Sequence, residues 1–139
     1  AETYEPTKDW LAGVLPEGGY TAVRYGSRDP EVVVADHPSR PNITLKIRRD
    51  LGIIAIMHSW RMKKAGWGQG KDVLAAINKA NAVTWLNSFT QDDEGDLLVT
   101  SYVTLTEGMA ARDVLLHLER EATQFRNAIS ASDLAKWIA

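Results

Sequence analysis

The sequence of 139 residues contains no cysteine, no long apolar run and no strong excess of charge of either sign. Each absence removes a class of function. Without cysteine there are no disulfides, no thiolate nucleophile and no cysteine-ligated metal. A membrane helix needs about 20 consecutive apolar residues. The longest apolar candidate here, from Leu51 to Met57, is only the size of a strand. The formal net charge of −2 gives the whole molecule little pull toward polyanions or acidic lipid. What remains is ordinary for a water-soluble globular chain, with 45% hydrophobic and 24% charged residues. The length suits one domain spanning residues 1–139, since there is no internal repeat, low-complexity stretch or linker. The chain begins Ala1-Glu2-Thr3, as a protein does after signal-peptidase cleavage. The expected compartment is nevertheless the cytoplasm, with the periplasm as the alternative.

Periodicity then predicts the elements. Trp10, Leu11 and Val14 share a helical face, Pro6 suits the first turn, and Pro16-Glu17-Gly18-Gly19 stops the helix. Strands follow over Tyr20–Tyr25 and around Val32-Val33-Val34. In the next one, Ile43, Leu45 and Ile47 alternate with Thr44, Lys46 and Arg48. Arg49-Asp50-Leu51-Gly52 is a tight connection to a fourth strand, Ile53–Trp60. A helix over Asp72–Ala80, strands over Ala82–Phe89 and Leu97–Leu105, and a long last helix complete the order α-ββββ-α-ββ-α. Asn78 and Asn81 are read as ending the middle helix. Gly95 is read as the positive-φ residue of the acidic turn between the last two strands. Ala111, Val114, Leu115, Leu118, Ala122, Phe125 and Ile129 form the apolar stripe of the last helix. A short tail helix over Ser132–Ile138, capped by Ser132, is also expected. Strand runs separated by single helices indicate an α+β fold, an antiparallel sheet with helices packed on it.

One stretch resembles a known family. Asn78-x-x-Asn81, a strand, Asp92-Asp93-Glu94-Gly95-Asp96, another strand, and Gly108 opening an amphipathic helix are similar to the YbjN-like family. The resemblance covers roughly Lys71 to Ile129; before that, only the order of elements agrees. It implies a type III secretion chaperone-like fold, commonly found as a dimer. It also implies a bacterial sensory-transduction regulator of uncharacterised molecular role, with no enzyme activity. Two positions depart from the pattern: Glu107-Gly108 replaces a common double Gly, and Ala80 and Ala82 replace Trp-rich positions around Asn81. The shared residues are turn and cap residues, which specify a fold better than an activity.

The residues themselves support no reaction centre. Gly66-Trp67-Gly68-Gln69-Gly70-Lys71 lacks the first glycine and the hydroxyl of a phosphate-binding loop, having Ala65 and Asp72 there instead. His37, His58 and His117 are scattered, and His58, in an apolar strand, reads as a hydrogen-bonded structural histidine. Asp92, Asp93, Glu94 and Asp96 lack the ligand alternation of a calcium loop. No serine lies in a nucleophile-elbow motif. No catalytic residue, cofactor or metal is therefore expected.

Charge is uneven, however. From Asn42 to Lys71 there are seven bases against one acid. Lys46, Arg48, Arg61, Lys63 and Lys64 form a candidate partner-binding patch, with Trp67 as its aromatic anchor. Nucleic acid is the weaker occupant, since the overall charge is negative. Of the five tryptophans, Trp67 is expected to be exposed and most of the others to pack. The leading expectation is a homodimer acting through protein contacts. The alternatives are a secretion-type chaperone holding an extended effector segment on its sheet, and a nucleic-acid binder using the hairpin from Lys46 to Lys71.

Overall fold

A computed structural model describes residues 6–64 and 70–139. Its elements are α1 (Lys8–Val14), β1 (Thr21–Tyr25), β2 (Val32–Asp36), β3 (Ile43–Arg48), β4 (Ile53–Trp60), α2 (Gly70–Val83), β5 (Ser88–Gln91), β6 (Leu97–Thr104) and α3 (Ala111–Ala131). Two 3-10 turns, Leu15–Gly18 and Leu134–Lys136, follow α1 and α3. The six strands form one sheet in the order β1-β2-β3-β4-β6-β5. The expected α+β order is thus the observed one. The described residues fall into two compact units: the chain up to Met57 with Tyr102–Glu119, and His58–Ser101 with Arg120–Ala139.

In the first unit, alternation builds the core. Val33 lies opposite Leu45, and Leu45 opposite Ile56, so three strands place one buried side chain each in a single row. Burying such a side chain contributes about 1.5–3 kcal/mol. Leu11 and Leu15 from the N-terminal segment and Val114 and Leu118 from α3 join the same cluster. Thr7 starts α1 by accepting a hydrogen bond from the Trp10 amide at 3.1 Å. Pro6 therefore stands just ahead of the cap rather than in the first turn. Gly26 lets the β1–β2 connection close, since a Cβ there would lie 2.5 Å from the Asp29 carbonyl oxygen.

In the second unit, Val73, Ala76, Ile77 and Ala80 give α2 an apolar stripe at i, i+3, i+4 and i+7. They share a core with Phe89, Leu97, Val99, Phe125, Ala128, Leu134 and Trp137. The C-terminal segment pairs back onto the residues after β4. Met62 bridges Ile138, the Lys63 amide donates to Trp137 O at 2.7 Å, and the Ala139 amide donates to Arg61 O at 2.8 Å.

Three local expectations are corrected. Helix α2 continues through Asn81 to Val83, and β5 begins only at Ser88, not at Ala82. The β-branched Val83 and Thr84 resemble a strand locally, but residues 84–87 are fixed by partners far along the chain, as shown below. Asn81 does not end the helix; its side chain serves β5 instead. The tail forms only the 3-10 turn Leu134–Lys136, with Asp133 in the left-handed region and no side-chain cap. Ser132 is buried rather than capping. The acidic turn is as expected: Gly95 has φ +84, and Asp92 Oδ1 accepts from the amides of Glu94 and Asp96 at 3.0 and 2.9 Å.

Candidate interaction surface and a buried polar cluster

The basic residues singled out above are distributed over both units. Lys46 and Arg48 project from β3, on the face opposite Leu45. Lys46 Nζ donates to Asp29 Oδ2 at 2.7 Å. This hydrogen bond holds the Asp29 carboxyl below its ordinary range. Arg48 makes a two-pronged contact with Asp50, Nε to Oδ1 at 3.0 Å and Nη2 to Oδ2 at 2.8 Å. That fork raises the guanidinium and lowers the carboxyl. Exposed pairs of this kind contribute little to stability. They do cancel charge, so two of the hairpin's seven bases, Lys46 and Arg48, are neutralised locally. Arg61, Lys63 and Lys64 belong to the second unit and are exposed beside the tail pairing. Trp67 lies outside the described residues.

Trp85 is the exposed tryptophan that the structure displays, 95% accessible to solvent. This corrects the expectation that it packs; among the other described tryptophans, Trp137 is buried and Trp10 and Trp60 are half-buried. The loop carrying it is fixed by one atom. Gln124 Oε1, from α3, accepts from Thr84 Oγ1 at 2.7 Å, from the Trp85 amide at 2.8 Å and from the Leu86 amide at 2.9 Å. On the next strand, Asn81 clamps Phe89: its Oδ1 accepts from the Phe89 amide at 2.7 Å and its Nδ2 donates to the Phe89 carbonyl at 2.9 Å. The indole is therefore presented on an ordered backbone. Nothing local in Val83-Thr84-Trp85-Leu86 announces this, because the anchoring side chain is 39 residues away.

The second unit also buries a polar cluster. His58 and Glu121 are 5% and 2% exposed, with His58 Nε2 3.0 Å from Glu121 Oε1. Trp60 Nε1 donates to His58 Nδ1 at 2.8 Å. An indole nitrogen can only donate, so Nδ1 must offer its lone pair. The imidazole proton then sits on Nε2 and is donated to the carboxylate. Phe125 stacks on Trp60 at 5.3 Å between centroids and meets the His58 ring edge-on at 4.8 Å. Asn87 Nδ2 donates to the Glu121 carbonyl at 3.2 Å, while Asn87 Oδ1 has no hydrogen-bond partner among the described residues. His58 is the hydrogen-bonded structural histidine anticipated from its strand; its partner Glu121 was not anticipated. The available signal was position: residue 121 lies three after Leu118 and four before Phe125, on the apolar stripe.

His37 has a separate environment. Its Nε2 is 3.3 Å from the Gly18 carbonyl, Nδ1 accepts from the Ser39 amide at 3.1 Å, and its ring meets Tyr20 edge-on at 4.8 Å. Burial, and then the nearby Arg40 charge, lower its pKa. Among the described residues, no group of three or more His, Cys, Asp or Glu side chains is placed to hold a metal ion. No helix there is long and apolar enough to cross a membrane.

These features define a small α+β protein whose most distinctive surface element is a tryptophan on a pinned loop, and whose histidine–carboxylate pair is part of the core. The chain belongs to the YbjN family, described as "Putative bacterial sensory transduction regulator", whose model matches residues 7–129. The fold is that of a solved relative titled "Crystal structure of YbjN, a putative transcription regulator from E. coli". The two superpose with a TM-score of 0.71 over 99% of each chain at 12% sequence identity. No protein of curated function matches the sequence.

Proposed function

We propose that this YbjN-family protein is a non-enzymatic regulator, a single cytoplasmic domain that acts through protein contacts and forms a homodimer. The observation that carries the reading is Trp85. A tryptophan left 95% exposed gives up the stabilisation of burying a large apolar surface. Three hydrogen bonds donated to Gln124 Oε1 prearrange its loop, which reduces the entropy lost when a second chain covers it. Tryptophans at such positions are over-represented among residues that dominate binding energy. The paired state of Lys46 and Arg48 weighs against the nucleic-acid alternative. The blocked backbone of β5 at Phe89 weighs against a chaperone that adds an effector strand at that edge.

The test is iodide quenching of tryptophan fluorescence as protein concentration rises. Trp85 is quenched in dilute solution and becomes protected in the micromolar range, and Trp85→Phe removes that concentration-dependent component. Quenching that is identical at all concentrations overturns the self-association reading.

A further inference from the structure

The segment after α3 folds onto its own unit through a hinge that is locally unfavourable. Asp133 sits at φ +65 without the conformational freedom of glycine and without a side-chain cap. Ser132 beside it is 1% exposed, and its Oγ has no hydrogen-bond partner among the described residues. A left-handed backbone at a residue with a Cβ and a desolvated, unpaired hydroxyl each oppose the closed turn. Both are relieved when the hinge is extended, because Asp133 leaves the left-handed region and water reaches Ser132. What holds the segment closed lies beyond the hinge. Leu134 and Trp137 are buried in the core of the second unit. The next residues lie along the end of β4, with Met62 facing Ile138 between the Lys63–Trp137 and Ala139–Arg61 hydrogen bonds.

These contacts decide what an opened tail can do. Detached into water, it exposes two large apolar side chains and leaves the backbone of residues 61–63 unpaired, so the slot does not stay empty. Its occupant needs a leucine and a tryptophan at this spacing, followed by an extended stretch. A second copy of the chain supplies that segment with every slot contact unchanged, and only the hinge differs. We propose that two copies exchange these tails, residues 134–139 of each lying in the slot of the other. Short hinges under strain favour exchange of this kind. The inference rests on the homodimer reading and deepens it. Gln124, which pins the Trp85 loop, lies two turns before the end of α3, about 10 Å along the helix. A straightened segment 132–137 spans about 20 Å, so the Trp85 contact brings a second copy near the hinge.

The chain has no cysteine, so introduced cysteines report the exchange directly. Met62 and Ile138 form a non-hydrogen-bonded antiparallel pair, whose spacing accepts a disulfide. Met62→Cys and Ile138→Cys chains, one carrying a size tag, are refolded together from urea, oxidised and separated on a non-reducing gel. The expected product is a covalent heterodimer well in excess of either homodimer. The variant carrying both cysteines should likewise cross-link between chains rather than within one. Asp133→Gly removes the backbone cost of the closed turn. With two hinges per dimer, it should lower the cross-chain fraction by about fivefold or more. Native protein that sediments as a dimer, while the double variant closes its disulfide within each chain, overturns the exchange and leaves the Trp85 contact standing. A native monomer overturns both. A cross-chain fraction unchanged by Asp133→Gly overturns the strained hinge as its cause.

Discussion

Glu121 gives the residue scale its sharpest case. It lies on the apolar stripe of α3, 2% exposed, and is tolerated there because His58 donates to it while Trp60 holds the other side of the same imidazole. Removing the carboxylate leaves the buried Nε2–H of His58 without a partner while the Trp60 bond to Nδ1 remains, so Glu121→Leu should lower unfolding stability by about 1–3 kcal/mol in urea titrations. Replacing Trp60 by Phe should cost less, since the ring remains to stack on Phe125. The hydrogen-bond logic also fixes a tautomer. Nitrogen-resolved NMR of His58 should show the proton on Nε2; a proton on Nδ1 would contradict the arrangement. His37 supplies a separate pH dependence. Its folded pKa is lowered from 6.5 by burial and by Arg40, so the native state binds this proton less readily than the unfolded chain. The associated stability is present above the unfolded value and is lost as pH falls through the folded one. A histidine titration should place His37 below 6.5, and His37→Gln should flatten the fall in melting temperature across that window.

At the scale of elements, the ends of the sheet are protected by side chains. Strand β5 is an outer strand, and Asn81 occupies both the amide and the carbonyl of Phe89 as a neighbouring strand would. Strand β1, at the other end, breaks register between Thr21 and Arg24, with Ala22 at φ +51, and Arg24 Nη1 donates to the Ala22 carbonyl at 2.7 Å. Bulges and bound charges of this kind discourage strand addition. Asn81→Leu should therefore destabilise the protein by about 1–3 kcal/mol, the cost of leaving the clamped groups of Phe89 unpaired. The same variant should raise light scattering on gentle heating; unchanged stability would mean the clamp is dispensable. Asn81 also shows why local reading mis-set this element. Asparagine is a common helix terminator, and Ala82-Val83-Thr84-Trp85 has strand character, so a boundary at Ala80 was the local expectation. The helix runs two residues past Asn81, whose side chain faces Phe89, a pairing eight residues long that no propensity reports.

For the whole molecule, the sequence was most informative where the physics is periodic or local. The alternation of Ile43, Leu45 and Ile47, the stripe of α3, and the turn at Asp92–Gly95 each depend on neighbours within a few residues, and all were legible. The resemblance carried by Asn78-x-x-Asn81 and the acidic turn pointed to the family to which the chain belongs. The surface was much less legible. Lys46 looked free because its acid, Asp29, lies 17 residues upstream, and Trp85 looked buried because Gln124 lies on a distant helix. Solvent exposure is set by tertiary partners, so a chain can declare its core while concealing its surface. The central claim, that this surface serves contact between chains, is tested most directly by sedimentation equilibrium of the native protein and Trp85→Ala. The account predicts a native dimer with a dissociation constant in the micromolar range or tighter, and a variant weakened by about 2 kcal/mol or more with an unchanged urea midpoint. A native monomer throughout that range, or an equal dissociation constant in the variant, would contradict it.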